Sequence, residues 1–316
     1  MSDARPAVLV TGGAKRIGAA IARAFGNAGW HVVIHYGSSR EDAAALADSL
    51  PSAETVQCDL ADDAATAQMI TDLSARLSDW AALVNCAAIF EADDVTFLDP
   101  GTNARTMQIN ARTPALMAQA YLRSARAVAG RCVIQITDQK IANPNPDFFS
   151  YTMSKHALAS TVPMLAMGAA RPDDRVYALA PGAILASHDQ REEETEISHR
   201  MNLLKRKTGQ DEVAQAALFQ RARRAVGLGR TGRVGCGFFF PDARRRQEAF
   251  GRALDGMMQP AMPFGGHAAG VIRAAVDHPA AGQPIGVLAA FEIDIALMIL
   301  ADLAALALGK EPGAEG

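Results

Sequence analysis

The sequence predicts an α/β protein, a doubly wound parallel sheet with an atypical C-terminal segment, and three observations carry that prediction. Short apolar runs and amphipathic stretches alternate six times between Ala7 and Leu179. The first run ends in a glycine-rich turn that opens directly into a helical pattern, and the alternation breaks after Phe219. Repeated strand-helix units call for parallel strands with helices on both faces, because each right-handed crossover carries its helix back across the sheet. Ligands of such sheets bind beyond the carboxyl ends of the strands.

Each element has its own signal. Ala7 to Val10 is a short apolar run, and Ile17 to Phe25 repeats apolar residues at helical spacing, so the chain opens strand, turn, helix. Trp30 to Tyr36 reads as a strand, Glu41 to Leu50 as a helix, Thr55 to Cys58 as a strand and Ala64 to Leu77 as a helix. Ala82 to Val84 is the next strand and Thr106 to Val128 a long helix. Cys132 to Ile136, Ser154 to Ala170 and Val176 to Leu179 complete the series as strand, helix and strand. This places one domain at 1–219 and a separate segment at 220–316. In that segment Arg221, Arg223, Arg224, Arg230, Arg233, Arg244, Arg245 and Arg246 crowd a glycine-rich stretch. Its composition suits an exposed or poorly ordered segment, with an anion-binding patch as the alternative.

With 316 residues, 49% hydrophobic and 21% charged, the chain can bury a large core, which excludes disorder throughout. A net charge of -3 offers no basic face for phosphate backbones, so a small-molecule partner is expected and nucleic acid is not. Cys58, Cys86, Cys132 and Cys236 form no CxxC pair, and reduced thiols in a cytoplasmic protein are the expectation. The opening MSDARPAVLVTGG lacks a signal-peptide run. Ile285 to Leu308 is apolar but interrupted by Glu292, Asp294 and Asp302, which favours a packed helix over a membrane span. The histidines show no HExxH or paired spacing, so no metal is expected.

Thr11-Gly12-Gly13-Ala14-Lys15-Arg16-Ile17-Gly18 lies at the first strand-helix junction, where backbone N–H groups and the helix dipole favour a pyrophosphate. The second strand ends His35-Tyr36-Gly37-Ser38-Ser39-Arg40, without the acid that would bond a free ribose 2′-hydroxyl. That absence points to NADP, with Ser38, Ser39 and Arg40 as partners for a 2′-phosphate. The alternative is that Ser38 caps the next helix and Arg40 is a surface charge. Asp59 either caps a local turn or holds an adenine amino group.

Tyr151 and Lys155 stand four apart near the start of a predicted helix, on one face. An ammonium beside a phenol is expected to bring its pKa from about 10 towards neutrality, so that it donates a proton as a hydride arrives from a nicotinamide.

Together these motifs resemble the short-chain dehydrogenase/reductase family, whose Rossmann fold matches from about Val8 to about Phe219. The resemblance rests on the glycine turn, Cys58-Asp59-Leu60, Asn85-Cys86-Ala87-Ala88, Asn110 in the long helix, Tyr151-Thr-Met-Ser-Lys155 and Pro181-Gly182. It implies an NADPH-dependent oxidoreductase, often tetrameric. Gly12, Arg16, Ile17, Gly18, His35, Tyr36, Asp59, Leu60, Asn85, Ala87, Lys155, Pro181 and Gly182 would border the cofactor, and Asn110 would support a proton-relay water.

Two departures narrow the resemblance. Arg16 stands where the family usually has glycine, and Asp138 where it usually has the catalytic serine. A carboxylate beside a developing alkoxide would oppose the transition state of an ordinary carbonyl reducer. Facing nitrogen it makes sense, accepting from an N–H or, with its pKa raised by burial, donating a proton as hydride adds across C=N. Together with His35-Tyr36 and Phe90, these residues look like the pteridine reductase branch, including bacterial dihydromonapterin reductases. That implies a pterin substrate held by Arg16 and Phe90, with Asp138, Tyr151 and Lys155 carrying the chemistry. For Phe90 a core position is the alternative, and for Asp138 a turn cap.

Two other readings stay open: a general carbonyl or 3-oxoacyl reductase in which Thr137 faces the substrate, and a non-catalytic nucleotide-binding module. Asp211-Glu212-Val213-Ala214 resembles the start of the family's last large helix. The strand expected after it is absent there, and Ala281-Gly282-Gln283-Pro284-Ile285 is its displaced candidate. Ser187 to Arg200 lies where the family has its substrate lid, though its glutamates also suit a solvated helix face.

Overall fold

In a computed structural model, residues 5–142, 144–182, 184, 208–222 and 231–233 are described. Seven strands run in the order β1 Ala7–Val10, β2 His31–Tyr36, β3 Ala53–Gln57, β4 Trp80–Asn85, β5 Cys132–Ile136, β6 Arg175–Leu179 and β7 Thr231–Arg233. They form one parallel sheet ordered β3-β2-β1-β4-β5-β6-β7. The chain order reverses between β2-β1 and β1-β4, which opens a crevice at the carboxyl ends of those strands.

The central strands are apolar on both sides because both sheet faces are covered. Alternate residues of β1 part to opposite faces. Val8 and Val10 join Ile21 and Phe25 of α1 (Arg16–Asn27) and Val213, Ala214 and Ala217 of α7 (Gln210–Ala222). Leu9 joins Ile70 and Leu73 of α3 (Asp63–Arg76), Met117 and Tyr121 of α5 (Thr113–Ser124), and Val162 of α6 (Phe149–Gly168). Among the described residues the remaining α-helices are α2 (Arg40–Asp48) and α4 (Pro100–Met107).

Three expectations are corrected. The long helix expected over Thr106 to Val128 begins at Pro100 and ends at Ser124, and a π-helical turn at Gln108–Arg112 interrupts it. Helix α6 begins five residues before the expected Ser154, so Tyr151 lies inside it. A seventh strand is present: Thr231 to Arg233 pairs with Val176 to Ala178. Helix α7 runs through 219 to Ala222. A β-former such as Thr231 pairs once a neighbour supplies a ladder, even within arginine-rich surroundings. The expectations for Ser187 to Arg200, for Cys236, for the arginines at 223, 224, 230 and 244–246, for Ala281 to Ile285 and for Ile285 to Leu308 lie outside the described residues. Among the described residues no helix is long and apolar enough to cross a membrane.

Candidate active site

The glycine turn is built by close approach. Gly12 has φ of +60°, and a Cβ there would sit 2.9 Å from Ala87 Cα; one on Gly18 would sit 2.1 Å from the Gly12 carbonyl oxygen. Neither position admits a side chain, so the turn stays flat against the loop after β4. Thr11 fixes that loop, its hydroxyl accepting from Cys86 N–H at 2.9 Å and Ala87 N–H at 3.1 Å. Ala19 N–H makes an intrahelical bond to Lys15 O at 3.1 Å, so the amides of Ile17 and Gly18 lie ahead of it at the helix's positive end.

Arg16 adopts φ of +51°. A non-glycine residue in this left-handed region costs about 1–2 kcal/mol, and strain of this kind concentrates at functional positions. It explains why glycine is usual here, and it marks Arg16 as a side chain kept despite its backbone.

His35 is a brace. Its buried ring takes the Gly12 N–H on Nδ1 at 3.1 Å, which assigns the proton to Nε2, 3.0 Å from the Cys58 carbonyl oxygen. Its own carbonyl accepts Gly13 N–H at 2.9 Å. Burial pushes the imidazole below its ordinary pKa, against the smaller opposing effect of the Cys58 carbonyl. Ser39 precedes α2 without a side-chain cap bond, Ser38 and Arg40 are exposed, and Arg40 has no ion-pair partner among the described residues. The capping alternative for Ser38 is therefore not what the structure adopts.

The candidate catalytic residues come together where β5 and β6 end. Tyr151 Oη donates to Asp138 Oδ2 at 2.8 Å, while Asp138 Oδ1 accepts Lys140 N–H at 2.8 Å, so the aspartate caps its turn and meets the tyrosine at once. Lys155 Nζ donates to the Ile136 carbonyl at 2.8 Å and lies 5.5 Å from the Tyr151 ring centre. Thr137 N–H bonds Leu179 O at 2.8 Å and Gln139 N–H bonds Pro181 O at 3.0 Å, bringing Pro181-Gly182 beside Asp138.

These contacts reverse one expectation. Burial, then the Asp138 charge and its hydrogen bond, hold the Tyr151 phenol well above its usual pKa rather than near neutrality. Burial also lowers the Lys155 ammonium, opposed by Asp138 and Cys86. Burial sets the sign and the Asp138 anion adds to it, while the lysine ammonium is turned to a carbonyl. The Tyr151 phenol thereby keeps its proton. The Cys86 thiol, pushed up to about 11 by burial, stays protonated.

Asn110 sits in the π-helical turn, a feature that recurs at functional sites. Its amide accepts from Ile89 N–H at 2.8 Å and donates to Ile89 O at 2.9 Å and to Ser154 Oγ at 3.2 Å. Ser154 Oγ in turn donates to Tyr151 O at 2.6 Å. Beyond Ile89, Phe90 is 43% exposed, so it is no core residue. Its ring stacks on Phe148 at 3.9 Å and meets Tyr151 edge-on at 4.6 Å.

Several of the residues expected to border the cofactor also carry scaffold contacts. Asn85 is buried in the sheet, donating to Pro114 O at 3.1 Å and Gln135 Oε1 at 3.0 Å, because a buried amide must find internal partners. The Tyr36 and Leu60 side chains lie in the core. His35 acts on the glycine turn, and Asp59 accepts Ala61 N–H at 2.9 Å as a turn cap. Thr137 is 2% exposed and directs its hydroxyl to Leu179 O, which removes it as a substrate-facing group. Sequence reasoning gave no individual role to Thr11, Ser154 or Phe148, though Thr11 opens the glycine turn and Ser154 lies inside the Tyr-x-x-x-Lys motif.

Residues 12–227 match the family described as enoyl-(acyl carrier protein) reductase. Pteridine reductase 1 of Leishmania tarentolae is 26% identical over 261 residues, covering 69% of this chain and 90% of that protein. A versicolorin reductase of Emericella nidulans is 30% identical over 180 residues, covering 56% of this chain and 68% of its own length. Among solved structures, FolM alternative dihydrofolate reductase 1 from Brucella suis, in complex with NADP, is 31% identical with a TM-score of 0.67, over 76% of this chain and 98% of its own. The strand order, the glycine turn, the Tyr151–Lys155 pair and these matches lead to one conclusion: the chain belongs to the short-chain dehydrogenase/reductase family of oxidoreductases.

Proposed function

We propose that the protein reduces a dihydropteridine, such as dihydromonapterin or dihydrobiopterin, with NADPH as the hydride donor. The residues fit that cofactor: the side-chain-free surface at Gly12 and Gly18 and the amides of Ile17 and Gly18 suit its pyrophosphate. Ser38, Ser39 and Arg40, with no acid among them, suit its 2′-phosphate. Arg16, kept at positive φ where α1 begins, would reach phosphate and substrate, and the exposed Phe90 would offer an aromatic face to a flat heterocycle. NADPH supplies the hydride. The chain supplies the proton, from Tyr151 to the ring nitrogen of the C=N bond, while Asp138 accepts the phenol's hydrogen bond beforehand and a substrate N–H afterwards.

The observation that carries this reading is the 2.8 Å bond between Tyr151 Oη and Asp138 Oδ2. A carboxylate at this point opposes a developing alkoxide and suits a nitrogen that gains a proton. NADPH oxidation measured with 7,8-dihydrobiopterin and separately with a simple ketone tests it, with Asp138→Ser alongside. Pterin turnover is expected in the wild type, and a loss of about 100-fold in the variant. An Asp138→Ser enzyme as fast on the pterin, or a wild type that reduces only the ketone, overturns the reading.

A further inference from the structure

Helix α6, which carries Tyr151 and Lys155, cannot cap itself. It begins Phe148-Phe149, with no side-chain cap bond from its own N-cap residue, and its first intrahelical bond is Thr152 N–H to Phe148 O at 2.9 Å. The amides before Thr152 need acceptors from elsewhere. Asp93, three residues after Phe90, provides one: its carboxylate oxygens lie 3.1 and 3.0 Å from Ser150 N–H. Its carbonyl accepts Phe148 N–H at 2.7 Å. Phe148 is held at φ 55°, ψ 52°, strained for a residue with a side chain, with its ring face to face on Phe90. Asp94 bridges to Asp147, and Val95 N–H bonds Pro146 O at 3.2 Å, so the segment from Phe90 to Val95 lies along the start of α6.

We propose that Asp93 is a positioning residue for Tyr151: it clamps the first turn of α6 to the segment bearing Phe90, setting the phenol against Asp138 and the aromatic wall as one unit. Asp138 reaches Tyr151 from the turn after β5, so the clamp, together with the Asn110 link between Ile89 and Ser154, ties the tyrosine to the segment of Phe90. A small misplacement of a reacting group costs rate rather than affinity. The inference rests on Tyr151 being the proton donor, as in the reading above.

The test compares Asp93→Ala and Asp93→Asn with Asp62→Ala, which removes a cap of like geometry from α3, where Asp62 accepts from Ala64 N–H at 2.9 Å and Ala65 N–H at 3.0 Å. With saturating NADPH and 7,8-dihydrobiopterin, Asp93→Ala is expected to lower kcat by about 10-fold or more with KM for NADPH little changed. Asp93→Asn, which keeps an acceptor oxygen, should recover most of that loss, and Asp62→Ala should keep the wild-type kcat. Deuterium uptake by peptides spanning 148–155 should rise in Asp93→Ala alone. Should the wild type fail to turn over the pterin, the substrate reading falls and the clamp is decided by deuterium uptake. Uptake at 148–155 no faster in Asp93→Ala than in Asp62→Ala, or equal kcat in the two variants, overturns it.

Discussion

The two ends of β5 each have an aspartate beside them, and the two carboxylates are surrounded differently. At the amino end Asp174 accepts from Arg131 Nε at 2.9 Å, Arg131 Nη2 at 2.6 Å, Arg131 N–H at 3.2 Å and Arg171 N–H at 3.3 Å. The Arg131 and Asp174 side chains are 5% and 0% exposed. At the carboxyl end half-buried Asp138 receives one amide and one phenol, while the nearby ammonium of Lys155 bonds a carbonyl. A carboxylate ringed by a permanent cation and amides has its bonds committed to the scaffold and holds strands together. One that shares a movable proton with a phenol is placed for chemistry.

The sharpest way to break the comparison is to exchange the consequences of mutation between the two ends. Arg131→Ala strands a buried charge and should lower stability by about 3–5 kcal/mol, read from urea unfolding, while the folded fraction keeps its turnover. Were Arg131→Ala to leave stability intact, the amino-end pair would not be scaffold. Tyr151→Phe should do the opposite: turnover falls by about 100-fold to 10,000-fold with the urea midpoint close to wild type. A Tyr151→Phe protein that turns over normally would remove the phenol from the mechanism.

The smallest effect belongs to His35, a buried titratable group that braces the glycine turn. Its folded pKa lies below its ordinary 6.5, so on acidification the unfolded chain takes up a proton before the native state does. Stability should therefore decline as pH falls below about 6.5 and level off once the folded imidazole is itself protonated. Urea midpoints at pH 7.5 and 5 in wild type and His35→Gln read this directly. An identical pH loss in both proteins would mean that the brace does not carry it.

The elements most legible in the sequence are those whose signal is local. The apolar run of β1, the turn that needs no side chain at Gly12 and Gly18, and the four-residue spacing of Tyr151 and Lys155 each lie within a few residues. Asp138 too was found from its place ahead of Tyr151. Helix length was less legible, because the π-helical turn at Asn110 is bound up with a bond to Ile89, 21 residues away. β7 was missed because a three-residue edge strand depends on the ladder that β6 offers it.

By itself, then, the sequence determined the doubly wound sheet, the position of the cofactor turn and the chemical groups of the site, since period, glycine placement and motif spacing are written along the chain. Only the tertiary structure decided what those groups face. Lys155 turns to Ile136, Asn85 to Gln135 across 50 residues, and Asp93 to Ser150 across 57. The physical reason is that a proton's affinity and a side chain's role depend on the nearest charge and acceptor in space, and folding, not chain order, chooses those neighbours.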